Sequence, residues 1–141
     1  MTLSWTRTLR SLALASLLLG VEPLYAEYLK IELQVYGLDC ELCARGVAAS
    51  VQRLPGVKSV DVSLKKGLLE IVLERGNTFK MRDLRKRIRE NGFRSLDATV
   101  TALGDFKESS KFEVVGSGEL YDVDSPDPKG HGLVELTFHV K

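Results

Sequence analysis

The feature of this 141-residue chain that most restricts its fold is the order in which the spacing of its apolar residues changes. Residues 29–36 alternate between apolar and polar, with Leu29 and Ile31 first on the apolar side, which predicts a half-buried strand. Over residues 41–54 the spacing changes to three and four, which is typical of an amphipathic helix. Proline and glycine at positions 55 and 56 then end that helix, because proline cannot continue it.

The same two spacings recur further along the chain. They predict strands over residues 59–64 and 69–73 with a glycine-containing turn between them, a helix over 79–91, and a strand over 93–103. The resulting order is β-α-β-β-α-β. With right-handed crossovers, this order packs two helices on one face of a four-stranded antiparallel sheet. The predicted fold class is therefore α+β, a ferredoxin-like βαββαβ sandwich.

Residues 104–141 predict a short C-terminal β extension. Residues 111–123 have the pattern of a hairpin, residues 134–140 that of a last strand, and Phe112 and Phe138 are expected in its core, together with Tyr121. So short a segment cannot bury enough surface to stand alone. We expect it to pack on the first domain, extend its sheet or pair with another molecule. One long strand from about 94 to 107 would join the two parts.

The first 26 residues differ from the rest of the chain. Arg7 and Arg10 precede an apolar run over 12–19, and a small residue, Ala26, stands before the polar start at Glu27. This pattern is typical of a cleaved signal peptide, since the apolar run is well short of a membrane span. A retained N-terminal anchor is the alternative. The predicted organisation is a signal peptide over 1–26, a domain over 27–103 and the extension over 104–141, in a periplasmic or secreted protein.

Charge and cysteine content narrow the classes of function. The formal net charge is +1, and removal of the leader leaves equal numbers of basic and acidic residues, so no basic field favours nucleic acid. Two cysteines are too few for the disulfide framework of a small secreted fold. They are to be explained by chemistry or by one local bridge.

Cys40 and Cys43 form the one strong motif, Cys-x-x-Cys, where the first strand gives way to the first helix. Two thiolates there can bind a soft ion in linear or trigonal geometry, or contribute to a zinc site. The free N–H groups and the dipole at a helix start favour thiolate over thiol. A local disulfide is the structural alternative. Thiol–disulfide exchange is a functional one, although the order of elements is not that of thioredoxin.

The residues around the motif resemble those of the heavy-metal-associated domain family. The resemblance rests on the run from Gly37 to Ala44, on Leu54-Pro55-Gly56-Val57 and on Val60-Asp61-Val62, and it extends over about residues 28–103. That family includes copper chaperones, metal-binding modules of P-type ATPases and the periplasmic mercuric-ion-binding protein. The resemblance implies that Cys40 and Cys43 are metal ligands and that Phe93 lies near the metal loop. It also implies that Leu38, where the family usually has methionine, is a buried anchor.

Other side chains are candidates to complete the coordination. By resemblance to the variant found in zinc, cadmium and lead exporters, Asp39 is a candidate third ligand; alternatively its side chain caps the first helix. Glu41, His131 and His139 are weaker candidates. The ion is soft or borderline: Zn²⁺, Cu⁺, Hg²⁺ or Cd²⁺.

The second helix carries five basic residues, Arg82, Arg85, Lys86, Arg87 and Arg89. They form either a solvated face or a docking patch for an acidic partner or a membrane surface. The sequence contains no recognisable catalytic constellation. We therefore predict a metal carrier or scavenger, not an enzyme, whose partner is a membrane metal transporter or another thiol carrier. A metal-independent interaction module is the remaining alternative.

Overall fold

The computed structural model describes residues 27–124 and 132–141. In this part of the chain the elements are β1 (Tyr28–Tyr36), α1 (Glu41–Gln52), β2 (Val57–Ser63), a 3₁₀ turn (Leu64–Lys66), β3 (Leu68–Leu73), α2 (Met81–Glu90), β4 (Arg94–Glu108), β5 (Lys111–Val114), β6 (Glu119–Asp122) and β7 (Val134–Val140). The predicted β-α-β-β-α-β order is confirmed, and so are the later hairpin and the last strand. The predicted leader, residues 1–26, lies outside the described residues.

The strands form one antiparallel sheet in which β2, β3, β1 and β4 lie side by side in that order. This is the strand order of a ferredoxin-like α+β sandwich, with α1 and α2 covering one face. The buried side chains of the helices recur at the predicted spacing: Ala44, Val47 and Val51 from α1, and Met81, Leu84 and Ile88 from α2. None of the described helices is long and apolar enough to cross a membrane.

The beginning of β1 departs from the simple alternation of the sequence. A bulge between Tyr28 and Lys30 places Tyr28, fully buried, on the core side and leaves Leu29 half-buried. The prediction that Leu29 is the first core residue of this strand was therefore wrong. The physical reason is that the Tyr28 ring packs edge-on against Phe79, with 5.9 Å between ring centroids.

Strand β4 is longer than the strand predicted over residues 93–103. It agrees with the alternative prediction of one long strand from about 94 to 107. It pairs with β1 as far as Ala102 and continues to Glu108, so the predicted boundary between 103 and 104 falls inside it. Gly104 lies opposite Val114 of β5 and also opposite Val134 of β7. The two strands therefore lie on opposite edges of β4, and the extension continues the same sheet.

The extension contributes its own aromatic side chains to the core. Phe112 is fully buried, and its ring lies 5.3 Å from that of Phe106 and 5.5 Å from that of Phe138. A Cβ at Gly104 would overlap the Phe112 ring and the Glu113 carbonyl, so only glycine permits this close packing. The prediction that Phe112 and Phe138 belong to the core of the extension is confirmed.

Glu119 of β6 connects the extension to the helical layer. Its carboxylate accepts hydrogen bonds from the backbone N–H of Met81, at 2.9 Å, and from the hydroxyl of Tyr28, at 2.5 Å. The residue that begins α2, Lys80, provides no side-chain cap. Glu119 thus satisfies a free N–H at the start of α2 from 38 residues away.

Candidate metal centre

The Cys-x-x-Cys motif lies in the loop and first turn that follow β1. Gly37 has a left-handed φ of +84°, which turns the chain out of the strand at little cost for glycine. Leu38 is only 3% exposed and anchors the loop in the core, as expected from the resemblance. Beyond it, Asp39 is exposed and Cys40 half-exposed, so the motif sits at the surface on a buried anchor.

Cys40 is the N-cap residue of α1. It has extended backbone angles, and its sulfur accepts a hydrogen bond from the backbone N–H of Cys43 at 3.2 Å. The alternative reading in which Asp39 caps this helix was wrong, because Cys40 occupies the cap position. Cys40, the first ligand candidate, therefore also satisfies a free N–H group of α1, the helix that carries the second candidate, Cys43.

Both cysteines are free, and they are electrostatically unequal. The pKa of Cys40 is lowered, first by a hydrogen bond from the Cys43 thiol and then by the Cys43 backbone N–H. The pKa of Cys43 is raised, chiefly because its thiol proton is shared with the Cys40 sulfur. The first proton to leave the pair therefore leaves Cys40 as the thiolate. A metal ion that binds both sulfurs displaces the second proton as well.

No third metal ligand converges with the two sulfurs among residues 27–124 and 132–141. In that part of the chain no group of three or more His, Cys, Asp or Glu side chains could hold a metal ion. Asp39 follows Leu38 with its side chain exposed, and the Glu41 carboxylate forms an ion pair with Arg45 at 2.6 Å. The Nδ1 atom of His139 lies 3.1 Å from the Thr99 hydroxyl on the sheet, and His131 lies outside the described residues.

Exposed apolar and aromatic groups surround the motif. Leu42, between the cysteines, is 78% exposed, and Tyr36, at the end of β1, is 64% exposed. The Arg94 guanidinium stacks 5.1 Å above the Tyr36 ring. Phe93 lies against Gly37, so the expectation that its ring is close to the metal loop is confirmed. The sequence reasoning missed the Tyr36–Arg94 pair, which becomes visible only when β1 and β4 are aligned.

The fold and the site together define a small ferredoxin-like domain that presents two reduced thiols at a helix start. Residues 32–94 match the family model of the heavy-metal-associated domain. Over 61 residues the chain is 31% identical to the copper chaperone CopZ of Bacillus subtilis (strain 168), an alignment that covers 43% of this chain and 87% of CopZ. The chain belongs to the heavy-metal-associated domain family.

Two solved structures show similar domains. A copper-binding domain from HMA7, a P-type ATPase, is 26% identical with a TM-score of 0.44, over 48% of this chain and 90% of that domain. Oxidized MerP from Ralstonia metallidurans CH34 is 22% identical with a TM-score of 0.45, over 49% of this chain and 94% of MerP. Each of these matches covers only about half of the chain.

Proposed function

We propose that the mature protein is an extracytoplasmic carrier or scavenger of one soft or borderline metal ion, bound by the thiolates of Cys40 and Cys43. The observation that carries this proposal is the placement of two free, half-exposed cysteines at the start of α1 in a domain of this family. Thiolates are the ligands that select soft ions such as Cu⁺. Ligands at the surface remain reachable by a second pair of thiols, so the ion can be handed over by ligand exchange.

Among the candidate ions, Cu⁺ and Hg²⁺ suit the described site best. Both are satisfied by two sulfurs, whereas tetrahedral Zn²⁺ requires further ligands that the described residues do not bring together. The similarity to a protein named as a copper chaperone supports Cu⁺. Binding of Zn²⁺ or Cd²⁺ would require Asp39 to turn towards the sulfurs, and its role as a third ligand stays a prediction.

Location and partner complete the proposal. The pattern of residues 1–26 supports export to the periplasm or beyond, where the leader is removed before Glu27. In such a compartment the cysteines must be reduced before they bind. The partner that receives the ion is a membrane metal transporter or another thiol carrier, since a site with soft sulfur ligands can compete for a thiolate-bound ion.

The test is a metal titration of the reduced mature chain, residues 27–141, under anaerobic conditions. We expect about one Cu⁺ per chain with the wild type and no tight binding with Cys40→Ser. Leu42→Ser is the matched control, because it introduces the same side chain between the cysteines and removes no ligand candidate. Failure of the reduced wild type to bind any thiophilic ion would overturn the proposal. So would full binding by Cys40→Ser.

The redox alternative is tested with the same preparation. A thiol–disulfide oxidoreductase reduces a model disulfide with catalytic turnover, whereas a carrier reacts at most once per pair of thiols. We expect no turnover. Multiple turnovers, together with a lack of metal affinity, would establish the redox function instead.

A further inference from the structure

The open face of the sheet, which α1 and α2 do not cover, carries an unusual row of carboxylates. Asp61 of β2 lies directly opposite Glu70 of β3, and Glu70 lies directly opposite Glu32 of β1. Like charges placed opposite one another on neighbouring strands destabilise a sheet. Lys30 compensates only in part, with ion pairs to Glu32 at 2.8 Å and to Glu70 at 3.1 Å.

The opposite side of the molecule carries a matching row of positive charge. Arg82, Lys86 and Arg89 of α2 are exposed, and they lie on one face of the helix because they are spaced by four and three residues. Acidic neighbours pair with two of these residues, but at long distances: Asp83 lies 3.6 Å from Arg82, and Glu90 lies 3.8 Å from Lys86. All four side chains are exposed, and such surface ion pairs are weak, so they can be exchanged for the carboxylates of a partner.

The two rows agree in number of charges and in length. Neighbouring strands are about 4.8 Å apart, so the three carboxylates span about 10 Å across the sheet. A helix rises about 1.5 Å per residue, so the seven steps from Arg82 to Arg89 also span about 10 Å. Three basic groups can therefore face three acidic groups over about the same total length.

We propose that the open sheet face binds helix α2 of a second copy of this chain, with Arg82, Lys86 and Arg89 facing Asp61, Glu70 and Glu32. The occupant is a second copy because this chain itself provides the complementary row, of about the same length, while its total charge is close to neutral. The two rows lie on opposite sides of the molecule, so the association is head-to-tail and concentration-dependent. The Cys40 loop lies at the end of the sheet, outside both rows.

Exposed ion pairs are weak individually and are screened by salt. The test is therefore sedimentation of the reduced, metal-free mature chain at about 0.01 M and about 0.5 M ionic strength, where the Debye length falls from about 30 Å to under 8 Å. We expect the average mass to rise with protein concentration at low salt and to return to that of the monomer at high salt. Cys40→Ser should behave as the wild type, which separates this contact from dimers bridged by a metal ion.

Charge exchange identifies the two surfaces. In a sheet variant, Asp61→Lys with Glu70→Lys, both rows are positive; in a helix variant, Arg82→Glu with Lys86→Glu, both are negative. We expect each variant alone to associate at least tenfold more weakly than the wild type and the equimolar mixture to recover association. Glu70→Gln and Lys86→Gln are milder variants that should weaken association if a double variant does not fold.

Three results would overturn the proposal. The first is a wild type that stays monomeric at low salt and millimolar concentration, even if its α2 binds an acidic partner or anionic lipid vesicles. The second is association that the charge exchanges leave unchanged. The third is a mixture of two folded variants that does not associate. None of them bears on metal binding, which the titration of Cys40→Ser tests separately.

Discussion

Two substitutions at Cys40 separate its proposed role as a metal ligand from its role as a helix cap. Cys40→Ser removes the thiolate but keeps a side-chain oxygen, which can accept the Cys43 N–H that the sulfur accepts at 3.2 Å. Cys40→Ala removes both. Serine to alanine at an N-cap costs about 0.5–2 kcal/mol, typically about 1 kcal/mol. We therefore expect neither variant to bind metal and the alanine variant to be about 1 kcal/mol less stable than the serine variant.

Thermal unfolding of the reduced, metal-free variants measures this difference. For a domain of about 100 residues, about 1 kcal/mol corresponds to a decrease in Tm of about 4–8 °C. Leu42→Ala is the control, because Leu42 is exposed and makes no capping bond, and we expect it to unfold close to the wild type. Equal unfolding temperatures for Cys40→Ser and Cys40→Ala would refute the capping role. We expect capping to be the only structural role of the Cys40 side chain. A Cys40→Ser variant that is already unfolded at room temperature would refute this expectation.

Three further predictions concern the thiols, the candidate third ligand and the core. At neutral pH Cys40 should be alkylated before Cys43, because the pKa of Cys40 is lowered. Cys43→Ala should move the pH midpoint of Cys40 alkylation upwards, because it removes the donor thiol. Mass spectrometry of briefly alkylated protein checks both expectations, and equal labelling of the two sulfurs would contradict the asymmetry. Asp39→Asn should weaken Zn²⁺ binding at least tenfold and Cu⁺ binding less than twofold if Asp39 is a third ligand, and an equal effect on both ions in competition titrations would exclude that role. Gly104→Ala should lower the free energy of unfolding by about 1–3 kcal/mol, because the added Cβ overlaps the Phe112 ring. Gly46→Ala is the control: it lies at a helical position where an added Cβ meets nothing within 4 Å, and it should not destabilise the protein. Denaturant titration compares the two variants.

The fold of the first domain was predictable because its signals are local. Apolar residues two apart define each strand, and apolar residues three and four apart define each helix. The order of these elements then restricts the topology to few arrangements. The buried side chains of α2, Met81, Leu84 and Ile88, are those that the helical spacing indicated. What local spacing does not encode is a bulge. The bulge near Tyr28 changes which side chains at the start of β1 face the core. The Tyr28 ring, which the apolar spacing did not assign to either face, is fully buried as a result.

The candidate site was predictable in its chemistry but not in its local geometry. The spacing of Cys40 and Cys43 indicated two sulfurs at a helix start, and the structure has them there. Which residue caps the helix depends on a single pair of backbone angles. The sequence offered Asp39 as the cap, as the alternative to its role as a ligand, because aspartate is a common N-cap residue. In the structure the cap is Cys40, two residues after the buried Leu38.

The β5–β6 hairpin of the extension and the cysteine loop lie at opposite ends of β1, and this separation suits the proposed carrier function. At the start of β1, the Tyr28 hydroxyl donates a hydrogen bond to Glu119 of β6, and the Glu119 carboxylate also accepts one from the first N–H of α2. These bonds hold β1, β6 and α2 together. At its other end, Tyr36 is exposed and is followed by the loop that carries the cysteines. Ligand exchange requires an incoming thiol to reach the ion, so elements that stabilise the domain are least harmful when they lie far from the motif. A hairpin that instead covered the Cys40 end would hinder the proposed transfer, whereas at the far end of β1 it can stabilise the domain and leave the cysteines accessible.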